Sequence, residues 1–392
     1  MKKVLVLTTT YPRWRGDTEP AFVHNLCREL AGEFEVTVLA PHASGCQYSE
    51  QLDGVTVRRF RYLPFGWQKL AYDGGIVPKL KQSPWLALQV PFLFLSMFMH
   101  ALYLCRKENI HVIHAHWLMP QGLIAVIIKK VLRQKLQVIT TSHGADLFSL
   151  KAPLLQKLKV YVIRHSDTTT VVSQAMRDFC KNILKVDKQI IVQSMGVDCQ
   201  QVFVDRTAFS ARSGMVFVGR LVEKKGCALL LEAFALLLRH YPDEKLTIVG
   251  DGFERAALEA RVINLGISHA VSFIGAVPAD QVAGYYNHAR VAVMPSMVAS
   301  DGDQEGLGLV AAEALACGCI TITSDLPAVQ DVHDQPQLQF HSGDADSLFQ
   351  RLFAVYADMP LAQQLSSELQ KRVLEKFDWQ AVGQAYCKLM RE

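Results

Sequence analysis

Short apolar runs alternate with amphipathic helical patterns along the whole chain, and this alternation limits the fold more than any other feature. Lys3–Thr8 (KVLVLT), Glu35–Leu39 (EVTVL), Val55–Phe60, His111–His114, Gln137–Thr141, Thr168–Val172 and Ile190–Gln193 read as strands. A second series follows: Met215–Val218, Lys245–Val249, Val271–Ile274, Val291–Met294 and Cys319–Thr323. Runs of this kind, rich in Val and Ile and separated by helices, are the signature of βαβ units and parallel sheets. Two series joined by a loop-like stretch near Gly196–Ser213 predict two doubly wound α/β domains in tandem, 1–200 and 201–377. The length of 392 residues fits, because a single core rarely grows that large.

Composition narrows the class. Half the residues are hydrophobic and a fifth are charged, as in a globular chain. None of the nine cysteines falls in a CxxC pair, so reduced thiols are expected, not a zinc site or a disulfide framework. Residues 1–200 hold 25 Lys and Arg against 14 Asp and Glu, a net +11; residues 201–392 hold 16 against 23, a net −7. The basic half is expected to face something anionic, such as a membrane surface or a phosphorylated acceptor. Nucleic acid is disfavoured, since no stretch interleaves basic and aromatic residues.

Four segments bear on membranes. The start, MKKVLVLTTTYP, has the basic and apolar parts of a signal peptide, but its apolar run is short and suits a strand better. Pro84–Cys105 is apolar for 22 residues, and Pro91 is expected to split it, leaving 14. That length favours a buried or partly membrane-docked helix over a span. Gly122–Leu136 and Lys151–Arg164 mix apolar residues with lysines, so each suits either an anionic bilayer surface or an ordinary core.

In open parallel sheets, ligands sit beyond the carboxyl ends of the strands. The residues there are Thr8–Asp17 with Arg13, Arg15 and Gly16; His114–Gly122 with His116 and Trp117; Ser142–Asp146 with His143; Gly219, Arg220, Lys224 and Lys225; Gly250-Asp251-Gly252; Gly275; Pro295-Ser296; and Glu305–Gly318. The last stretch, EGLGLVAAEALACG, carries two carboxylates with seven residues between them and a helix expected from about Leu307. Glu313 then lies among apolar residues and needs a partner, because a glutamate is seldom buried alone. Arg220, Lys225 and a helix N-terminus near Gly306–Leu309 suit a diphosphate: arginine binds it bidentately, lysine as a point charge, and free amides add donors. Gly250–Gly252 is only GxG, so the dinucleotide fingerprint is unmet and a nicotinamide oxidoreductase is disfavoured.

Taken in order, VGRLVEKKG (218–226), GDG (250–252), FIGAVP (273–278), the E-x7-E stretch and FDW near the C-terminus resemble the GT-B glycosyltransferases, within them the retaining enzymes of family 4. TSHGADL, VVSQAMRD and MGVD support the resemblance in the first half. It implies two Rossmann-like domains facing across a cleft, the first binding the acceptor, the second a nucleotide sugar, with a C-terminal helix (378–392) crossing back to the first. Arg220 and Lys225 would hold the diphosphate, Glu305 the sugar hydroxyls and Glu313 the ribose, while His143 would approach the sugar. Gly16, Gly219, Asp251, Ile274, Gly275, Gly306, Leu307, Gly308 and Leu309 would line the rest of the donor site. The donor would be a UDP- or GDP-sugar, with fixed cations serving in place of a metal and no cofactor. The acceptor would be lipid-linked or a glycan, and the protein cytoplasmic, in peripheral contact with an anionic membrane. A small soluble acceptor and a non-catalytic nucleotide-sugar-binding scaffold are the alternatives. The chain departs from the family where Arg15-Gly16-Asp17 replaces a Gly-Gly pair, and in the long segment between Ser296 and Glu305.

Overall fold

The structure is a computed structural model. It describes residues 1–391 except Thr18, Phe65, Asp73, Gly74, Gln134 and Leu150, and only the backbone of Val77, Pro78 and Lys81. The chain forms two compact units, one of residues 1–195 with the chain from Trp379 onward, the other Gly196–Asp378.

The first unit is built on strands β1 (Lys3–Leu7), β2 (Glu35–Pro41), β3 (Ser49–Leu52), β4 (Val55–Phe60), β5 (Val112–His116), β6 (Gln137–Ser142), β7 (Thr168–Val171) and β8 (Ile191–Val192). They lie in the order β3-β4-β2-β1-β5-β6-β7-β8, all neighbours parallel except the β3–β4 hairpin. The connecting helices are α1 (Phe22–Ala31), α2 (Ile76–Gln82), α3 (Val90–Glu108), α4 (Leu123–Leu132), α5 (Ala145–Phe148), α6 (Pro153–His165) and α7 (Gln174–Asn182). Strand β1 is buried from Val4 to Leu7, as a central strand covered on both faces should be.

The second unit has β9 (Met215–Val218), β10 (Leu246–Val249), β11 (Val271–Gly275), β12 (Val291–Met294), β13 (Ile320–Ser324) and β14 (Gln339–Phe340). Their order is β11-β10-β9-β12-β13-β14, entirely parallel. Helices α8 (Cys227–Leu237), α9 (Arg255–Asn264), α10 (Ala279–His288), α11 (Leu309–Ala316), α12 (Ala345–Ala357) and α13 (Met359–Lys376) cover it. The last helix, α14 (Trp379–Arg391), packs on α1 of the first unit, where Arg391 pairs with Glu33 at 2.5 Å. The final residue of the helix expected over 378–392, Glu392, lies outside the described residues.

Numbered within its own unit, each sheet carries the 3-2-1-4-5-6 order of a dinucleotide-type fold, with the hairpin strand β3 and the edge strand β8 added to the first. Each therefore has one switch point, between β1 and β5 and between β9 and β12, where the crossovers diverge and a ligand can enter.

Several expectations shift. Pro91 sits in the first turn of α3, where its missing N–H breaks no hydrogen bond, so it starts a helix of 19 residues and does not split one. Strand β5 runs on to His116, so that residue is part of the sheet and not of the loop beyond it. Helix α11 starts at Leu309, two residues later than expected, because Gly308 adopts a left-handed φ of 88° that a helix cannot continue.

Candidate active site

In the second unit, the segments after β9 and β12 meet at the switch point. A Cβ on Gly226 would stand 1.9 Å from the Pro295 carbonyl oxygen, so only glycine lets the Glu223–Lys225 turn lie against the chain leaving β12. The turn then holds the long segment before Glu305. Glu223 accepts hydrogen bonds from the amide and hydroxyl of Ser300, both at 2.8 Å. Lys224 pairs with Asp303 at 3.1 Å and donates to the Gln304 carbonyl at 3.3 Å. The Asp301–Asp303 loop is thus tied down by Lys224. Among the described residues no three His, Cys, Asp or Glu side chains group as metal ligands.

Lys225 Nζ lies 2.5 Å from Glu305 Oε2, with 14% and 15% of the two side chains exposed. Burial opposes the ionised carboxylate, but Lys225, Lys224 and the Gly306 amide more than offset it and hold Glu305 at about 2. Glu313 is the reverse case: burial raises it to about 7, and the Lys225 charge and the Tyr286 hydroxyl offset only part of that. Glu313 keeps some surface, though protein surrounds it on most sides. Arg220 is exposed directly after β9. Gly306, Leu307 and Gly308 are buried beneath the start of α11, and a Cβ on Gly308 would meet Met294 Cε at 2.9 Å.

The expected donor residues on β10 and β11 stand one and two strands from β9. Gly250 donates to the Gly275 carbonyl at 2.8 Å, and Gly219 to Val249 at 3.0 Å. A Cβ on Gly250 would stand 1.9 Å from the Gly219 oxygen, and one on Gly252 would stand 2.3 Å from the Leu221 oxygen. GDG is therefore a close-packing element between β9 and β10, more than a turn before a helix. Asp251 caps the Gly252 amide at 2.7 Å and pairs with Arg255 at 3.3 Å. Ile274 presents an exposed side chain, 39% accessible, and Gly275 has φ 89°.

In the first unit, His143 is set among rings. It stacks on His116 with an interplanar angle of 8°, and Phe22 and Trp117 each lie 5.0 Å from it. His116 Nδ1 and His143 Nε2 share a hydrogen bond of 2.9 Å. Burial holds His143 down at about 3 and His114 likewise, so these imidazoles stay neutral. Asp146, itself buried, accepts from the Leu118 amide at 2.7 Å, the Ser142 hydroxyl at 2.9 Å and the His143 amide at 3.2 Å, fixing the histidine's backbone. The sequence places Ser142–Asp146 after a strand without a task for Asp146, and its position three residues after His143 is the signal that could give one. Tyr286 on α10 carried no such signal.

Gly16 tips the β1–α1 loop at φ 76°, with nothing within 4 Å of where its Cβ would stand. The departure from Gly-Gly has a structural consequence. Arg13 grips Asp17 at 2.8 Å, and Arg15 reaches Asp53 at 2.5 Å, so the loop is braced on its own unit.

Comparison with known proteins follows the same division. The family model described as Glycosyltransferase Family 4 matches residues 21–201, and that described as Glycosyl transferases group 1 matches 206–372. The chain is 24% identical over 335 residues to N-acetyl-alpha-D-glucosaminyl L-malate synthase of Bacillus anthracis, covering 83% of this chain and 85% of that one. It is 25% identical to the GDP-mannose-dependent alpha-(1-6)-phosphatidylinositol monomannoside mannosyltransferase of Mycolicibacterium smegmatis, covering 80% of this chain and 78% of that protein. The sucrose-phosphate synthase structure from Thermosynechococcus elongatus shares the fold, with a TM-score of 0.79 over 100% of this chain and 98% of that one, at 20% identity.

Proposed function

The chain belongs to the GT-B glycosyltransferases of family 4 type, and on that premise we propose that it moves a sugar from a UDP- or GDP-sugar to a lipid-linked or glycan acceptor with retention of anomeric configuration. The observation that carries this is the Lys225–Glu305 pair at the β9/β12 switch point, with Glu313 close by. When a nucleoside diphosphate leaves, negative charge develops on its phosphates. Cations fixed in advance at that point stabilise it without reorganising, which is usually the largest catalytic contribution. Lys225 and Arg220 take that role and make a metal unnecessary. Glu305, ionised at any working pH, accepts from the sugar hydroxyls, and Glu313 accepts from the ribose. The amides of Gly306–Leu309 cap sugar and phosphate. The leaving phosphate takes the acceptor's proton on the same face, so no protein nucleophile is required. His143, neutral, serves the sugar as a hydrogen-bond partner and not as an acid.

The lipid-linked acceptor draws support from the basic first half and from the phosphatidylinositol-mannoside relative. It places the work in cell-envelope biosynthesis, at the cytoplasmic face of a membrane. A second reading, a small soluble acceptor, draws support from the malate synthase relative. The test is a panel of UDP- and GDP-sugars screened for thermal stabilisation, followed by turnover with lipid extracts and with small hydroxy acids. One donor is expected to stabilise the protein and to release its nucleoside diphosphate only with lipid extract. Release with a hydroxy acid alone would establish the soluble reading, and binding without turnover would make the chain a scaffold.

A further inference from the structure

We propose that the outer face of α3 and the turn before it form an interfacial docking surface for an anionic lipid bilayer. The proposal rests on the lipid-linked reading of the acceptor for its purpose, but the surface itself is read from exposure and charge. Trp85, Leu88, Phe92, Leu95, Met99 and Tyr103 recur every three or four residues, the spacing of one helical face. All six are exposed, from 53% for Phe92 to 74% for Leu88. The opposite face, with Leu93, Met97, Ala101 and Leu104, is buried against β1, β2, β4 and α4. A helix apolar all round is ordinarily covered all round, and a continuous exposed stripe marks an interaction site. With one side committed to the sheet, α3 lies flat on its unit and does not cross a membrane.

Charge decides what covers it. Lys69 stands 5.9 Å over the Trp85 ring at one end of the stripe, and Lys107 stands 5.3 Å over Tyr103 at the other. Arg58 lies close enough to Lys107 to perturb it, and Arg106 shares the last turn of α3. Leu88, Phe92, Leu95 and Met99 form an apolar middle, with an aromatic ring at each end and cations beyond, and these suit in turn the acyl chains, the headgroup boundary and the phosphates of an anionic bilayer surface. A second copy of the chain fits less well, because a two-fold pairing of the stripe would bring these cations together.

Flotation of the full chain on phosphatidylcholine vesicles, with and without phosphatidylglycerol, tests this. Wild type is expected to float with the anionic vesicles and to lose association as salt rises. Leu88→Gln combined with Leu95→Gln should reduce the bound fraction about tenfold, without altering the thermal shift given by the donor nucleotide. Lys69→Ala with Lys107→Ala should remove the preference for anionic over neutral vesicles. Absence of flotation, or equal flotation on neutral vesicles, would overturn the proposal. So would a dimer that the Leu88→Gln and Leu95→Gln pair dissociates in the absence of lipid. Donor turnover is assayed separately, so flotation without turnover leaves the surface standing and removes the acceptor reading.

Discussion

At the carboxyl edge of the first sheet, His143 lies between Phe22, Trp117 and a stacked His116, and burial keeps its ring uncharged. At the same edge of the second sheet, Lys225 holds an ionised Glu305 at 2.5 Å. The two sheets share one strand order and so offer their ligands the same place. The loops at that place provide neutral, ring-lined hydrogen-bonding groups in one unit and fixed charges in the other. Strand order decides where chemistry can happen, and loop residues decide which chemistry it is.

The sharpest way to break this comparison is Lys225→Ala. If the second edge is the charge-stabilising one, kcat should fall about 10²–10³-fold, followed as nucleoside diphosphate release. Unchanged turnover would remove the distinction between the edges.

Next comes a pair of glycine substitutions, one in each unit. Gly250→Ala puts a Cβ 1.9 Å from the Gly219 oxygen and should cost about 3 kcal/mol or more in urea unfolding. Gly16→Ala has the same kind of φ but open space, and should cost about 1 kcal/mol. Equal costs would show that backbone strain, and not the close approach of β9 to β10, makes glycine necessary.

Acid unfolding sharpens the comparison further. The buried imidazoles of His114 and His143 take protons only when unfolded, so stability drops as pH falls below 6.5 towards about 3, by up to about 1.4 kcal/mol per pH unit for each. Glu313 works the other way. It binds its proton more readily when folded, so it favours the folded second unit increasingly as pH falls from about 7 to 4.5. Glu305 loses its contribution only as pH falls from 4.5 towards about 2. The second unit has one such imidazole, His333, held at about 4, against two at about 3 in the first, so the first unit should unfold first, seen by hydrogen exchange as earlier loss of protection in β5 and β6 than in β9 and β12.

The smallest effect is on nucleotide binding. If the ribose hydroxyls donate to Glu313, affinity should weaken as pH falls below about 7 and the carboxylate takes a proton. Glu313→Gln should lose about tenfold at pH 8 and abolish that pH dependence in calorimetric titrations.

The fold was legible because the βαβ signal is local: each strand and helix announces itself within a window of a dozen residues. The loops after the strands were legible for the same reason, and with them His143, Lys225, Glu305 and Glu313 as candidates. What each of these residues touches was not. Lys225 and Glu305 are 80 residues apart, and their pairing depends on β9 and β12 being neighbours. His116 meets His143 across 27 residues only because β5 and β6 pair in register, His116 opposite Thr141. The long segment before Glu305 shows no contact of its own in the sequence, and only the fold brings Lys224 and Glu223 to hold it.

Glu313 marks the limit most clearly. From sequence it was a glutamate among apolar residues that required a partner; packing surrounds it, leaves it some surface and pushes it to about 7. Helix α3 repeats the lesson. Composition makes it apolar on every side, and only packing decides that one face meets the sheet while the other, from Trp85 to Tyr103, faces outward. Sequence by itself determined the elements, because dihedral preference and side-chain period act between near neighbours. Tertiary structure alone decided partners, burial and protonation, because those depend on which distant segments the sheet brings together and on how much water they exclude.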